Sequence, residues 1–124
     1  KMKLQFSAAY NPLFLIRDGK LKEFKADSQP VGFHLGKELP FTNHEISLEH
    51  NDVIYLVSDG FQDQFGGPKG KKFKTRRLKE LLLKIHTLPM ETQQNHLNKV
   101  FDKWKGSLDQ IDDVCIMGLR ICEN

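Results

Sequence analysis

The run Val53-Ile54-Tyr55-Leu56-Val57 constrains this chain most. It is short, uninterrupted and rich in β-branched and aromatic residues. Polar turn residues flank it, Glu49-His50-Asn51-Asp52 before and Ser58-Asp59-Gly60 after. A strand without polar–apolar alternation must be covered on both faces. The run is therefore expected to be the central strand of a sheet, and the rest of the chain has to supply its cover.

The preceding half reads as further strands. Met2, Leu4 and Phe6 alternate within 1–9, and Leu13-Phe14-Leu15-Ile16 is a second continuous apolar run. Asp18-Gly19 then leads into Lys20 to Lys25. An Asp-Gly pair between such runs predicts a tight hairpin, because both central positions of that turn need positive φ. Asp27-Ser28-Gln29-Pro30 reads as a turn, and Gly32 and Gly36 keep the next stretch irregular. Phe41 to Leu48 alternates loosely and ends on Ile46 and Leu48.

After Gly60 the pattern changes. Gly66-Gly67-Pro68-Lys69-Gly70 predicts irregular chain. Leu78, Leu81, Leu82 and Ile85 recur at helical spacing, as do Leu97, Val100, Phe101 and Trp104. Pro89 suits the first turn of the second helix, and Gly106 its end. Val114 to Ile121 reads as a last strand, apolar on both faces. Strands, two helices and a returning strand make an α+β arrangement, with the helices packed on a sheet that the last strand rejoins.

At 124 residues, 39% hydrophobic and 28% charged, the chain is one globular domain or part of one. No apolar run approaches the roughly 18 residues of a membrane span, so no membrane contact is expected. No signal peptide pattern is visible either. Cys115 and Cys122 do not form a CxxC pair and share one apolar segment. They are expected as buried thiols in a reducing, cytoplasmic setting.

Two acidic sites could carry chemistry. Asp59 follows the central strand, and Asp112-Asp113 precede the last one. If those strands are antiparallel neighbours, the end of one lies beside the start of the other, and Asp59 and Asp112 converge. Carboxylate oxygens are the ligands that Mg²⁺ and Mn²⁺ prefer. On spacing alone, ordinary turn chemistry explains the same residues. The histidines, His34, His44, His50, His86 and His96, lack the i, i+4 spacing of a helical metal site, and the first three are expected in loops or on strand edges. The basic run Lys69, Lys71, Lys72, Lys74, Arg76, Arg77, Lys79 reads as a solvated loop leading into a helix, with docking of a phosphorylated acidic partner as the second reading. A net charge of +3 with no RNP motif argues against nucleic acid.

Several segments, in order, resemble the SpoIIE-like branch of the metal-dependent (PPM, type 2C) serine/threonine protein phosphatases. Ala9-Tyr10-Asn11-Pro12-Leu13 with Asp18-Gly19 resembles the family's Asn-Asn-Pro-Leu hairpin. Gln29-Pro30-Val31-Gly32 resembles its Pro/Met-Leu/Val-Gly segment, and Val57-Ser58-Asp59-Gly60 its strand ending in Ser/Thr-Asp-Gly. Asp63-Gln64-Phe65-Gly66-Gly67 resembles a variant in phosphatase domains attached to bacterial sensory proteins. Gln110-Ile111-Asp112-Asp113-Val114 resembles the terminal Gln-x-Asp-Asp-Ile/Val motif.

The resemblance implies part of a β-sandwich flanked by helices, with two Mn²⁺ or Mg²⁺ ions at one end. It implies Asp59 and Asp112 as metal ligands, with Asp113 and Gly60 in supporting roles. It also implies a phosphoprotein substrate, docked by Lys71, Lys72, Lys74 and Arg76 near the mouth of the site. The reaction would be metal-assisted hydrolysis of phosphoserine or phosphothreonine in a bacterial regulatory or sensory pathway, with no cysteine nucleophile. The family's upstream Asp-x-x-Gly-His-Gly motif has no counterpart here. The chain is accordingly expected to be the C-terminal portion of such a domain, linked to an upstream sensor region and with weak metal binding by itself. The alternative is a non-catalytic signalling module that keeps the fold. An exposed sheet edge, closed by a second copy in a homodimer, is a further expectation.

Overall fold

The computed structural model describes residues 2–32, 35–36 and 39–123; Lys1, at the head of the first expected strand, and His34 lie outside them. In chain order the elements are β1 (Lys3–Phe6), β2 (Leu13–Arg17), β3 (Lys20–Phe24), β4 (His44–Ser47), β5 (Val53–Val57), β6 (Phe65–Gly66), β7 (Lys71–Lys72), α1 (Thr75–Ile85), α2 (Met90–Lys105) and β8 (Ile116–Arg120). The main sheet has the order β3-β2-β5-β8, antiparallel throughout. β5 is thus central, as its unbroken apolar run requires. Asp18 and Gly19 between β2 and β3 have φ of 50° and 72°, the paired positive values that the Asp-Gly turn demands.

The alternation of β2 and β5 divides the core in two. Phe14, Ile16, Val53, Tyr55 and Val57 face α1 and α2, where they meet Leu78, Leu82, Phe101, Phe61 and Phe73. Leu13, Leu15 and Ile54 face the opposite way, onto Ile46 and Leu48 with Leu4 and Phe6 beside them. Those last residues belong to β1 and β4 and the turn after it, which pair antiparallel as a separate two-stranded sheet. The layers are therefore sheet, sheet and helices, the α+β sandwich expected from the element order. No described helix is long and apolar enough to cross a membrane.

Three expectations need correction. β8 is shorter than 114–121 and is not covered on both faces: Met117 and Leu119 are about half exposed, at 53% and 51%. β8 pairs only with β5, and the β1–β4 sheet lies over the β2 side, so nothing described covers the outer face of β8. Cys115 and Cys122 flank this strand and are exposed free thiols, not buried ones. The stretch 65–72 is also more regular than its glycines suggest. Phe65 and Gly66 pair with Lys72 and Lys71 around a turn closed by Gly67 and Gly70.

One buried charge ties the two sheets together at the end of β5 where the strand begins. Asp52 is 1% exposed. Its carboxylate accepts from Arg17 Nε at 2.8 Å and Nη2 at 2.7 Å, and from the Glu49 amide at 2.8 Å. Arg17 also donates to the Ser47 carbonyl at the end of β4, 2.8 Å away. The Asp52 carbonyl accepts from the Ile121 amide just past β8, at 2.8 Å. Burial alone would push the Asp52 pKa up, but the Arg17 and Glu49 bonds outweigh it and hold the carboxyl below its ordinary range.

Replacement by Asn leaves Arg17 without its counter-charge. Asp52→Asn should lower unfolding free energy by about 3 kcal/mol at neutral pH, read by urea denaturation. A depressed folded pKa contributes stability that is complete above the unfolded value, about 4, and fades as pH falls through the folded one. The gap between the two proteins should therefore be constant from about pH 5 to 8 and shrink below about pH 4.

Candidate functional site

The site is built where β5 ends. Val57 pairs with Ile116 in the β5–β8 ladder, so the residues after β5 lie beside those before β8. Ser58 continues the ladder by donating its amide to the Cys115 carbonyl at 2.9 Å. Its hydroxyl spans the same gap twice: Oγ donates to the Asp113 carbonyl at 3.1 Å and accepts from the Cys115 amide at 2.9 Å. Gly60 then passes so close to the Asp113 carbonyl that a Cβ at this position would run into it. Glycine is required here for close approach, and not for an unusual φ.

This packing brings the side chains of Asp59 and Asp112 within hydrogen-bonding reach of each other. Asp63, one turn on, donates its amide to the Asp59 carbonyl at 3.0 Å and adds a further negative charge. The proton affinity of Asp59 rises accordingly: partial burial contributes most, then the facing Asp112, then Asp63. The Asp112 carboxylate accepts from the Asp113 amide at 2.8 Å. Thus the bonds made at Asp113 run through its main chain.

Two facing carboxylates, with the proton affinity of Asp59 raised, are a place where a cation relieves repulsion. The donor set is oxygen only, which fits Mg²⁺ or Mn²⁺ better than zinc or copper. Among the described residues no three His, Cys, Asp or Glu side chains gather as a metal cage. The chain brings two carboxylates together at this point, Asp59 and Asp112.

The basic run lies on the β6–β7 hairpin and the start of α1. Lys71 and Lys72 form β7, Lys74 precedes α1 and Arg76 lies in its first turn. Lys72 Nζ sits 3.8 Å from Asp63, joining the basic surface to the acidic rim. Arg76 turns instead to Glu80, 3.2 Å away. Three of the described histidines are engaged elsewhere. His44 packs beside Phe6 and Phe24, His86 Nδ1 contacts the Leu83 carbonyl, and His50 Nδ1 accepts from the Glu123 amide. A groove of about 790 Å³ between α2 and β8, lined by Tyr55, Gln93, Phe101 and Cys115, contains none of the three aspartates.

Sequence reading found the carboxylates through strand position, and missed the Ser58 hydroxyl bridge and the buried Gln64 described below. A hydroxyl at a strand end is a usable signal for the first. Gln64 stands in a polar run, Gln62-Asp63-Gln64, and carries none. The close approach at Gly60 gives a direct check. Gly60→Ala should force the Asp113 segment outward and cost roughly 1–3 kcal/mol of stability, measured by thermal or urea unfolding.

The family model of stage II sporulation protein E (SpoIIE) matches residues 2–121. Among solved structures, the chain is similar to the SiaA-PP2C domain of Pseudomonas aeruginosa, with TM-score 0.86 and 28% identity over 96% of this chain and 46% of that one. Its fold is also similar to the phosphatase domain of the cell fate determinant SpoIIE from Bacillus subtilis. A crystal form without domain swapping gives TM-score 0.63 at 22% identity, over 98% of this chain and 50% of that one. A form presoaked with Mn gives 0.59 at 20%, over 98% and 51%. The chain therefore spans about half the length of these solved domains. No curated protein matches it. A match across nearly the whole chain, on a fold shared with PP2C-type phosphatase domains, makes this chain a member of the SpoIIE family.

Proposed function

We propose that this chain is the C-terminal portion of a protein phosphatase domain that hydrolyses phosphoserine or phosphothreonine with Mn²⁺ or Mg²⁺, within a bacterial regulatory or sensory pathway. The observation that carries the reading is the meeting of Asp59 and Asp112 across the β5–β8 pair, in a member of the SpoIIE family. In this reading those two carboxylates hold the divalent ions, with Ser58, Gly60 and the Asp113 main chain fixing their separation. Bound there, divalent ions would lower the pKa of water and offset charge on the phosphoryl oxygens. The exposed thiols Cys115 and Cys122 take no part, since such hydrolysis needs no protein nucleophile. Lys71, Lys72 and Lys74 draw a phosphoprotein to the rim, and Lys72 stands nearest through Asp63. Arg76 contributes charge but already pairs with Glu80.

A second reading has an observation of its own. Because no three ligand-type side chains gather among the described residues, a non-catalytic signalling module that keeps the fold is the alternative. In either case the exposed face of β8, with Leu56, Met117 and Leu119, suits pairing with a second copy of the chain or with an upstream part of the same polypeptide.

The full-length polypeptide containing these residues, assayed on a phosphoserine peptide, should show Mn²⁺-dependent release of phosphate. Asp59→Asn should cut kcat/KM at least about 100-fold. A full-length protein inert toward phosphomonoesters with both metals supplied would favour the signalling module. Lys71→Glu combined with Lys72→Glu should raise KM for an acidic phosphopeptide several-fold and leave kcat alone, and the difference should narrow as salt is added.

A further inference from the structure

We propose that Gln64 is a positioning residue, whose buried side-chain amide holds the loop between α2 and β8 at Asp109 so that Asp112 meets Asp59. The proposal draws its consequence for metal binding from the function proposed above; the restraint itself rests on geometry alone.

The loop has no apolar anchor. Every residue from Gly106 to Asp113 is exposed, Leu108 and Ile111 included. Hydrogen bonds must therefore decide where Asp112 sits. At its far end the loop is fixed by the Ser58 hydroxyl, which bridges Asp113 and Cys115. At its near end two side chains reach the loop: the exposed Lys105 Nζ donates to the Leu108 carbonyl at 3.1 Å, and the buried Gln64 Nε2 donates to the Asp109 carbonyl, nearer Asp112, at 2.9 Å. Asp112 lies between the two anchors.

Gln64 is built to hold. It is 0% exposed. Its carbonyl accepts from Trp104 Nε1 at 2.9 Å and from the Phe73 amide at 3.0 Å, which lock its backbone between α2 and the chain leaving β7. Its second amide proton goes to the Phe65 carbonyl at 3.0 Å. Both donors are used, while Oε1 is buried with no partner. An unpaired buried oxygen opposes stability, so the side chain's favourable part is its donor end. Asp59 and Gln64 stand on one turn, closed by the bonds from Asp63 N to Asp59 O and from Gln64 N to Phe61 O. The turn that carries one carboxylate thus also grips the loop that carries the other.

The test uses the full-length polypeptide and two variants. Gln64→Met keeps shape and burial and removes the donor. Trp104→Phe removes a bond to the same residue's carbonyl and leaves the Asp109 bond intact. Without added metal, amide hydrogen exchange across Ile111 to Asp113 should quicken several-fold in Gln64→Met and stay near that of the unaltered protein in Trp104→Phe. The Mn²⁺ dissociation constant, read by electron paramagnetic resonance, should weaken about tenfold in Gln64→Met only. Unchanged exchange in Gln64→Met, or equal loosening in both variants, overturns the proposal. If Gln64→Met does not fold, Gln64→Asn, which keeps an amide one carbon short of Asp109, is read in the same way. A protein that binds no Mn²⁺ at all would remove the phosphatase reading, and the exchange measurement would still decide the restraint.

Discussion

The register between β5 and β8 is the constraint on which the rest depends. It is fixed beyond both ends of the ladder. At one end Asp52 and Asn51 exchange main-chain bonds with Ile121, and at the other Ser58 bonds Cys115 through amide and hydroxyl alike. A slip of β8 by one residue would turn Ile116 away from the helix-side core, and would carry Asp112 away from Asp59. The same pairing that sets Ile116 against the helix-side core therefore sets the distance between the carboxylates. Core and site are two readings of one ladder.

The parts legible in the sequence were those with a local cause. Five apolar residues in a row made β5 central, Asp18-Gly19 made its hairpin, and the leucine spacing made α1 one helical face. What was not legible depended on partners distant in sequence. Met117 and Leu119 look like core residues, yet their exposure is decided by how far the β1–β4 sheet reaches. Cys115 and Cys122 follow the same rule. The short β6–β7 hairpin escaped because three glycines and a proline obscure a pairing of only two residues on each side. The acidic site was half legible. Strand ends located Asp59 and Asp112, but the hydroxyl, the glycine contact and the buried amide that fix them are bonds across 40 residues or more.

Charge is distributed with similar economy. The buried anion, Asp52, is fully paired, whereas the facing anions, Asp59 and Asp112, are not. Asp52 and Asp59 lie at opposite ends of β5, one just before the strand begins and the other just after it finishes. The paired one fastens the sheets, and its proton affinity is lowered; the unpaired one sits at the rim, and its proton affinity is raised. Opposite electrostatic treatment of two aspartates flanking one strand separates a structural role from a chemical one without any change of residue type.

Trp104 is the chain's single tryptophan. Its ring meets Phe73 edge-on at 5.3 Å, lies 4.6 Å from the Arg77 guanidinium, and closes over Gly66 and Gly67. Intrinsic fluorescence from this molecule is consequently a local signal, emitted from the junction of hairpin, helix and acidic turn. Movements at that junction can be followed optically in this chain without a label.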